Sequence, residues 1–334
     1  MGPTPLSRFK LISQAKMSNI NLSKFSDLEQ AILKTLAFFE IFNYPLTLVE
    51  IHKWLYHPAA RYSLVEILQA LKSDNLQDKV YQKFGFYFIA GHAGDVDIRL
   101  DRYSIAENKF RIARRFARWI DWLTFVKMIA VCNNVGYNNA TAKSDIDYFI
   151  VVDRGRIWWS RLVITLVATI LRLRRHGNKF VDRVCLSFYI GQDHLNLSDI
   201  ALKPADPYLV YWFATLAPIF DDDTYDKFLS ENSWFKSYLP NFYPTVLNHR
   251  RSVQPLGYAR FSRRLGQLVS GGALGGRLES FARLVQVNKV KAYLGESLNQ
   301  RNTNVVISSS MLKFHKIDRR QLYRSGWEKN LNNL

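Results

Sequence analysis

Two acids one residue apart, Asp145 and Asp147 in Ser144-Asp145-Ile146-Asp147, are the part of this chain best suited to chemistry. The apolar run that follows makes residues 146–152 a predicted strand. Residues two apart on a strand face the same side, so the carboxylates project together while Ile146 points into the core. Two carboxylates side by side repel each other unless a cation sits between them. Hard oxygen ligands suit Mg²⁺, which normally keeps substrate phosphates in its shell. Phosphoryl transfer needs positioning and neutralisation of phosphate charge, and such an ion supplies both.

The setting of the pair adds to this. Phe125 to Cys132, FVKMIAVC, reads as a buried strand, and a polar loop follows from Asn133 to Ser144, NNVGYNNATAKS. A strand, a polar loop, S-D-I-D and a second strand resemble the nucleotidyltransferase superfamily of DNA polymerase beta type, in particular its minimal bacterial and archaeal domains. The likeness covers residues 125–153 and extends loosely to about 200. It implies that Asp145 and Asp147 are catalytic and hold Mg²⁺. It also implies that Asn133, Asn134, Lys143 and Ser144 contact a nucleoside triphosphate, and that a nucleotidyl group passes to a hydroxyl acceptor.

The chain departs from the family pattern at three places. Asn133-Asn134 stand where the family has Gly-Ser. The later loop glycine falls near Asn138, with Gly136 close by. Asparagine donates through its amide and tolerates unusual backbone angles, but it is bulkier than glycine. The family's third carboxylate is expected on the strand 184–190, VCLSFYI, which holds Ser187 and no acid; Asp182 precedes it and Asp193 follows it. The departures open an alternative: a catalytically degenerate nucleotidyltransferase fold in a nucleic-acid-binding regulator.

The elements that would position this site divide the chain into four parts. Residues 1–25 read as a flexible basic arm. Residues 27–95 hold helices over 27–42 (capped by Ser26 or Asp27), 48–56 (capped by Thr47) and 64–72 (opened by Ser63). Short strands at 80–82 and 87–90 flank a Phe84-Gly85 turn. Three helices and a hairpin resemble a winged helix-turn-helix, whose third helix often enters the DNA major groove. That helix would turn Glu66, Gln69, Lys72 and Ser73 outward, with Arg61 just before it.

Residues 97–200 hold the nucleotidyltransferase-like part. It begins with a helix over 97–122, where Lys109, Arg111, Arg114, Arg115 and Arg118 form a solvated face. Ile157 to Leu171, IWWSRLVITLVATIL, is shorter than a membrane span needs and contains Arg161; it reads as a helix covering the sheet or lying on a membrane surface. Arg172, Arg174, Arg175, His176 and Lys179 follow as a basic run. Residues 201–334 read as a helical region. Helices are expected over 207–220 and 224–229, the second capped by Asp221-Asp222-Asp223. Arg250, Arg251, Arg260, Arg263 and Arg264 form a patch, Gly271-Gly272 and Gly275-Gly276 a turn before a helix from Leu278, and His315 and Asp318 a pair at helical spacing.

The fold class read from these elements is α/β (α+β): a small mixed sheet flanked by helices, with an N-terminal winged helix and a helical C-terminal region. At 48% hydrophobic residues the 334-residue chain is no disordered protein. Lysine and arginine outnumber acids 46 to 28, a net charge of +18 that favours a polyanionic partner such as a triphosphate or nucleic acid. Cys132 and Cys185 alone make neither a disulfide framework nor a zinc site, so a reducing cytoplasm is the expected location. No transmembrane segment and no secretory signal are expected.

Overall fold

The computed structural model describes residues 22–254, 257, 261, 272–295, 303–315 and 317–334. Most of the expected basic arm, and Arg260, Arg263, Arg264 and Gly271, lie outside the described residues. The arm's last residues are built in: Leu22–Lys24 form a helical turn and Phe25 is buried.

The N-terminal elements run α1 (Asp27–Glu40), β1 (Leu46–Thr47), α2 (Leu48–Lys53), α3 (Leu64–Ala70), α4 (Asp74–Gln77), β2 (Val80–Lys83) and β3 (Phe86–Ile89). The first three helices start where the sequence offers a capping box. Ser26, Thr47 and Ser63 each accept the amide three residues on, and Glu29, Glu50 and Glu66 reach back. Glu66 is thereby engaged with Ser63, and Ser73 donates to Glu29, so the outward face expected of the third helix loses two of its polar groups. The hairpin turns at Phe84 (φ 53°) and Gly85 (φ 81°), two successive positive φ values that match the twist of the flanking strands. β1, β3 and β2 form a three-stranded antiparallel sheet.

The long helix α5 (Asp95–Arg118) leads to β4 (Val126–Val131), α6 (Asn133–Gly136), β5 (Ile146–Val152), α7 (Ile157–Ile170) and β6 (Val184–Gly191). Then come α8 (Pro207–Ala214), β7 (Ala217–Asp221), α9 (Tyr225–Glu231), α10 (Gly272–Leu294), β8 (Val305–Ile307), β9 (Met311–Phe314) and α11 (Arg320–Asn332). The fold is mixed α+β. Its second sheet has six strands in the order β7-β4-β5-β6-β9-β8, with only the β5–β6 pair parallel.

The expectation of a helical region over 201–334 is corrected here, because that region supplies β7, β8 and β9. The helix expected over 207–220 stops at Ala214, and residues 217–221 pair with β4 along the sheet edge. The apolar run 207–220, with Pro218 inside it, carries no period that separates a buried helix from a buried strand. The glycines at 272, 275 and 276 sit inside α10 rather than in a turn.

Alternation along β4 and β5 divides the core. Met128, Ala130, Phe149 and Val151 join one apolar cluster; Ile129, Val131, Ile146, Tyr148, Ile150 and Val152 join the other. Each large apolar side chain so buried is worth about 1.5–3 kcal/mol. The first cluster continues into the N-terminal helices: Phe38 stacks on Tyr211 of α8 at 4.3 Å, and Trp327 of α11 donates to the Lys34 carbonyl of α1. α5, α7 and α10 contribute to the second cluster. α7 has no capping side chain of its own; Glu279 of α10 accepts the amides of Trp158 and Trp159 instead. Among the described residues no helix is long and apolar enough to cross a membrane.

Candidate metal and phosphate site

Asp145 and Asp147 come together as strand geometry requires. Ile146, between them, is fully buried, and Asp147 lies on the Phe149 side of β5. Both carboxylates line a cleft of about 1180 Å³. The β5–β6 register places Cys185 beside Asp147, and one ligand atom each from Asp145, Asp147 and Cys185 lies within 4.8 Å of the others.

Charge repulsion is visible in this cluster. Burial, and then the neighbouring Asp145, push the Asp147 carboxyl up to about 6. Asn133 opposes the shift by donating from Nδ2 to Asp147 at 2.9 Å, while its Oδ1 accepts from Tyr208 at 3.0 Å. Asp145 is met by Arg175, whose Nη1 stands 2.5 Å from Oδ2. Burial, followed by the charge of Asp147, pushes the Cys185 thiol well above its ordinary range. In the metal-free protein Cys185 is a neutral thiol, and the groups that suit a hard cation are the two carboxylates. That is the protein share Mg²⁺ normally takes, the remaining positions going to water and phosphate.

The loop before the acids is held by cations that the sequence reading had placed in solvent. Lys109, 1% exposed, donates to the Ser144 carbonyl at 2.7 Å and the Ala142 carbonyl at 3.4 Å, and pairs with Asp182 at 2.6 Å. Arg114 and Arg118 of α5 donate to the carbonyls of Ser252 and Gln254. Arg251, expected in a surface patch, is buried; it pairs with Glu107 and donates to Asn138 at 2.7 Å. Asn133 (φ 55°) and Asn138 (φ 64°) adopt left-handed backbone, the conformation that favours glycine, at or near the positions where the resemblance led glycine to be expected. Gly136 is needed for closeness: a Cβ there would meet the Thr215 carbonyl oxygen at 2.8 Å and that of Val131 at 3.0 Å.

Of the four residues expected to contact the nucleotide, Asn133 and Asn134 line the cleft and Lys143 and Ser144 do not. Asn133 is already committed to Asp147 and Tyr208, and Asn134 accepts from Tyr137. Ser144 Oγ closes the loop by accepting the Thr141 amide at 2.9 Å. Lys143 is exposed. The candidates for a third carboxylate are corrected as well. Asp182 is taken by Lys109, and Asp193 lies near Arg154 at the far end of β6. The polar side chains that β6 contributes to the cleft lining are Cys185 and Ser187.

Several residues that the sequence did not assign to this site shape the cleft. Arg174, Lys289 and Arg319 line it from the hairpin after α7, from α10 and from the start of α11, and all three are exposed. His315 follows β9 rather than sitting on a helix, and Asp318 bonds Arg320 instead of it. His315 Nε2 lies 3.2 Å from Ser187 Oγ. Burial, then the nearby charges of Lys313 and Arg320, lower His315 to about 3, so the ring is neutral. These residues come from strands, loops and helices far apart in the chain, and no local spacing joins them. No family model, curated protein or solved structure matches this chain.

Proposed function

We propose that the chain is a nucleotidyltransferase-like protein that binds a nucleoside triphosphate with Mg²⁺ in this cleft and passes the nucleotidyl group to a hydroxyl acceptor. The observation that carries the reading is the pair Asp145 and Asp147 facing one cleft, with a ligand atom of each within 4.8 Å of the other. Bound Mg²⁺ would neutralise phosphate charge and align the triphosphate. The chain's own residues do the rest. Tyr208 and Asn133 fix the Asp147 carboxylate. Arg175 exchanges Asp145 for a phosphate oxygen when the acid takes up the cation. Arg174, Lys289 and Arg319, exposed along the cleft, meet the remaining negative charge.

A second reading, a catalytically degenerate nucleotidyltransferase fold in a winged-helix-like nucleic-acid-binding regulator, draws support from Cys185. A neutral thiol stands where the third carboxylate is expected, and such an acid helps activate the attacking hydroxyl. Incubation with labelled triphosphates and Mg²⁺ separates the two. Label that moves onto an acceptor with the native chain, and not with Asp145→Ala/Asp147→Ala, supports transfer. Metal-dependent triphosphate binding without transfer supports the second reading, and no metal-dependent binding overturns both.

A further inference from the structure

We propose that Ser187 is itself a hydroxyl acceptor, so that the chain nucleotidylates its own β6 strand; the inference rests on the reading of the cleft as a Mg²⁺–triphosphate site. Ser187 Oγ lines the cleft and lies 3.4 Å from Cys185 Sγ, which in turn is within 4.8 Å of ligand atoms on both acids. The hydroxyl thus lies in the same cleft as the two acids, one thiol away from the carboxylates that would hold the metal. Its other neighbour is His315 Nε2 at 3.2 Å. Lys313 is buried beside that ring, and Arg320 is held by Asp206 and Asp318. Burial and these cations hold the imidazole neutral and weaken it as a base, so proton transfer to it depends on the negative charge that a bound triphosphate brings.

This pair answers the missing acid. A third carboxylate helps a mobile acceptor lose its proton. A tethered hydroxyl needs less help, because a reactant held in place gains up to about 7–11 kcal/mol over one recruited from solution. In the step, Ser187 Oγ forms a bond to the α-phosphorus. The bond from that phosphorus to the bridging oxygen breaks, and pyrophosphate leaves. The hydroxyl proton passes to His315 Nε2. The negative charge of the triphosphate offsets the surrounding cations and makes that transfer easier. Nothing is oxidised or reduced.

The test uses the full chain with Mg²⁺ and each common nucleoside triphosphate, read by intact mass and peptide mapping. Binding of a fluorescent triphosphate is followed in parallel. The expected result is one nucleoside monophosphate added per chain, on the peptide holding Ser187. Ser187→Ala abolishes it, and His315→Gln slows it by roughly a hundredfold, both with triphosphate binding retained. In the metal-free protein, Ser187→Ala shifts the ¹⁵N resonance of His315 Nε2. An adduct that persists in Ser187→Ala, a native chain that binds triphosphate and gains no mass, or an unmoved Nε2 resonance would each overturn the proposal. Failure of the native chain to bind triphosphate with Mg²⁺ would instead overturn the proposed function beneath it.

Discussion

Replacing Lys109 by methionine tests how the acidic motif is held in place. Lys109 reaches from α5 under the loop and is buried, while its partner Asp182 is half exposed. The ion pair is therefore open to solvent on one side and worth at most about 1 kcal/mol. The bond to the Ser144 carbonyl, at 2.7 Å, is charge-assisted and worth about 1.5–3 kcal/mol; the 3.4 Å contact to Ala142 adds little. Methionine keeps most of the apolar stem and relieves the cost of burying an ammonium, which returns part of the loss. The net expectation is a fall in unfolding free energy of about 2 kcal/mol, read from urea midpoints at unchanged slope. The Ser144 carbonyl adjoins Asp145, so Mg²⁺ affinity should also fall about tenfold, as for other supports behind a metal ligand. A loss under about 0.5 kcal/mol, together with native Mg²⁺ affinity, would refute the idea that this lysine sets the motif.

Three further outcomes follow from the contacts of other buried groups. In Arg320→Met, Asp206 (1% exposed) loses the guanidinium that also binds the Ile200 carbonyl and Thr303, and urea unfolding should show a loss of about 3–5 kcal/mol. Gly136→Ala should cost about 1–3 kcal/mol in thermal or urea unfolding, because its Cβ meets two backbone carbonyl oxygens rather than a yielding side chain. The Asp147 carboxyl, raised from the usual 3.8 to about 6, makes the metal-free fold less stable as pH rises from about 4 to 6; below that window both states are protonated and the effect vanishes. Its share is about 1–2 kcal/mol after allowing for the open cleft, and Asp147→Asn should remove that slope from a pH series of urea midpoints.

Much of the local structure was legible in the sequence, and the reasons are local. Ser26, Thr47 and Ser63 mark helix starts because each is followed by glutamate three residues on. Phe84-Gly85 marks the hairpin, and the alternation from Ile146 places Asp145 and Asp147 together. What failed was set by distant partners. Residues 217–221 become a strand because β4 has a free edge to pair with, and β8 and β9 extend the sheet beyond β6. Lys109 and Arg251 look like solvent-facing charges until Asp182, Ser144, Glu107 and Asn138 fold around them. The site shows the same division. Its two acids share four residues of sequence, whereas Arg175, Cys185, Ser187, Tyr208 and His315 reach the cleft through strand register and helix placement.

The claim on which the account stands is that Asp145 and Asp147 together gather a hard divalent cation. Electron paramagnetic resonance of Mn²⁺, displaced by Mg²⁺, measures this without any assumption about triphosphate or acceptor. The native chain is expected to bind the ion, and its affinity to fall by at least about tenfold when either aspartate becomes asparagine. Equal Mn²⁺ binding by native chain and Asp145→Asn/Asp147→Asn, or none by the native chain near neutral pH, would contradict it.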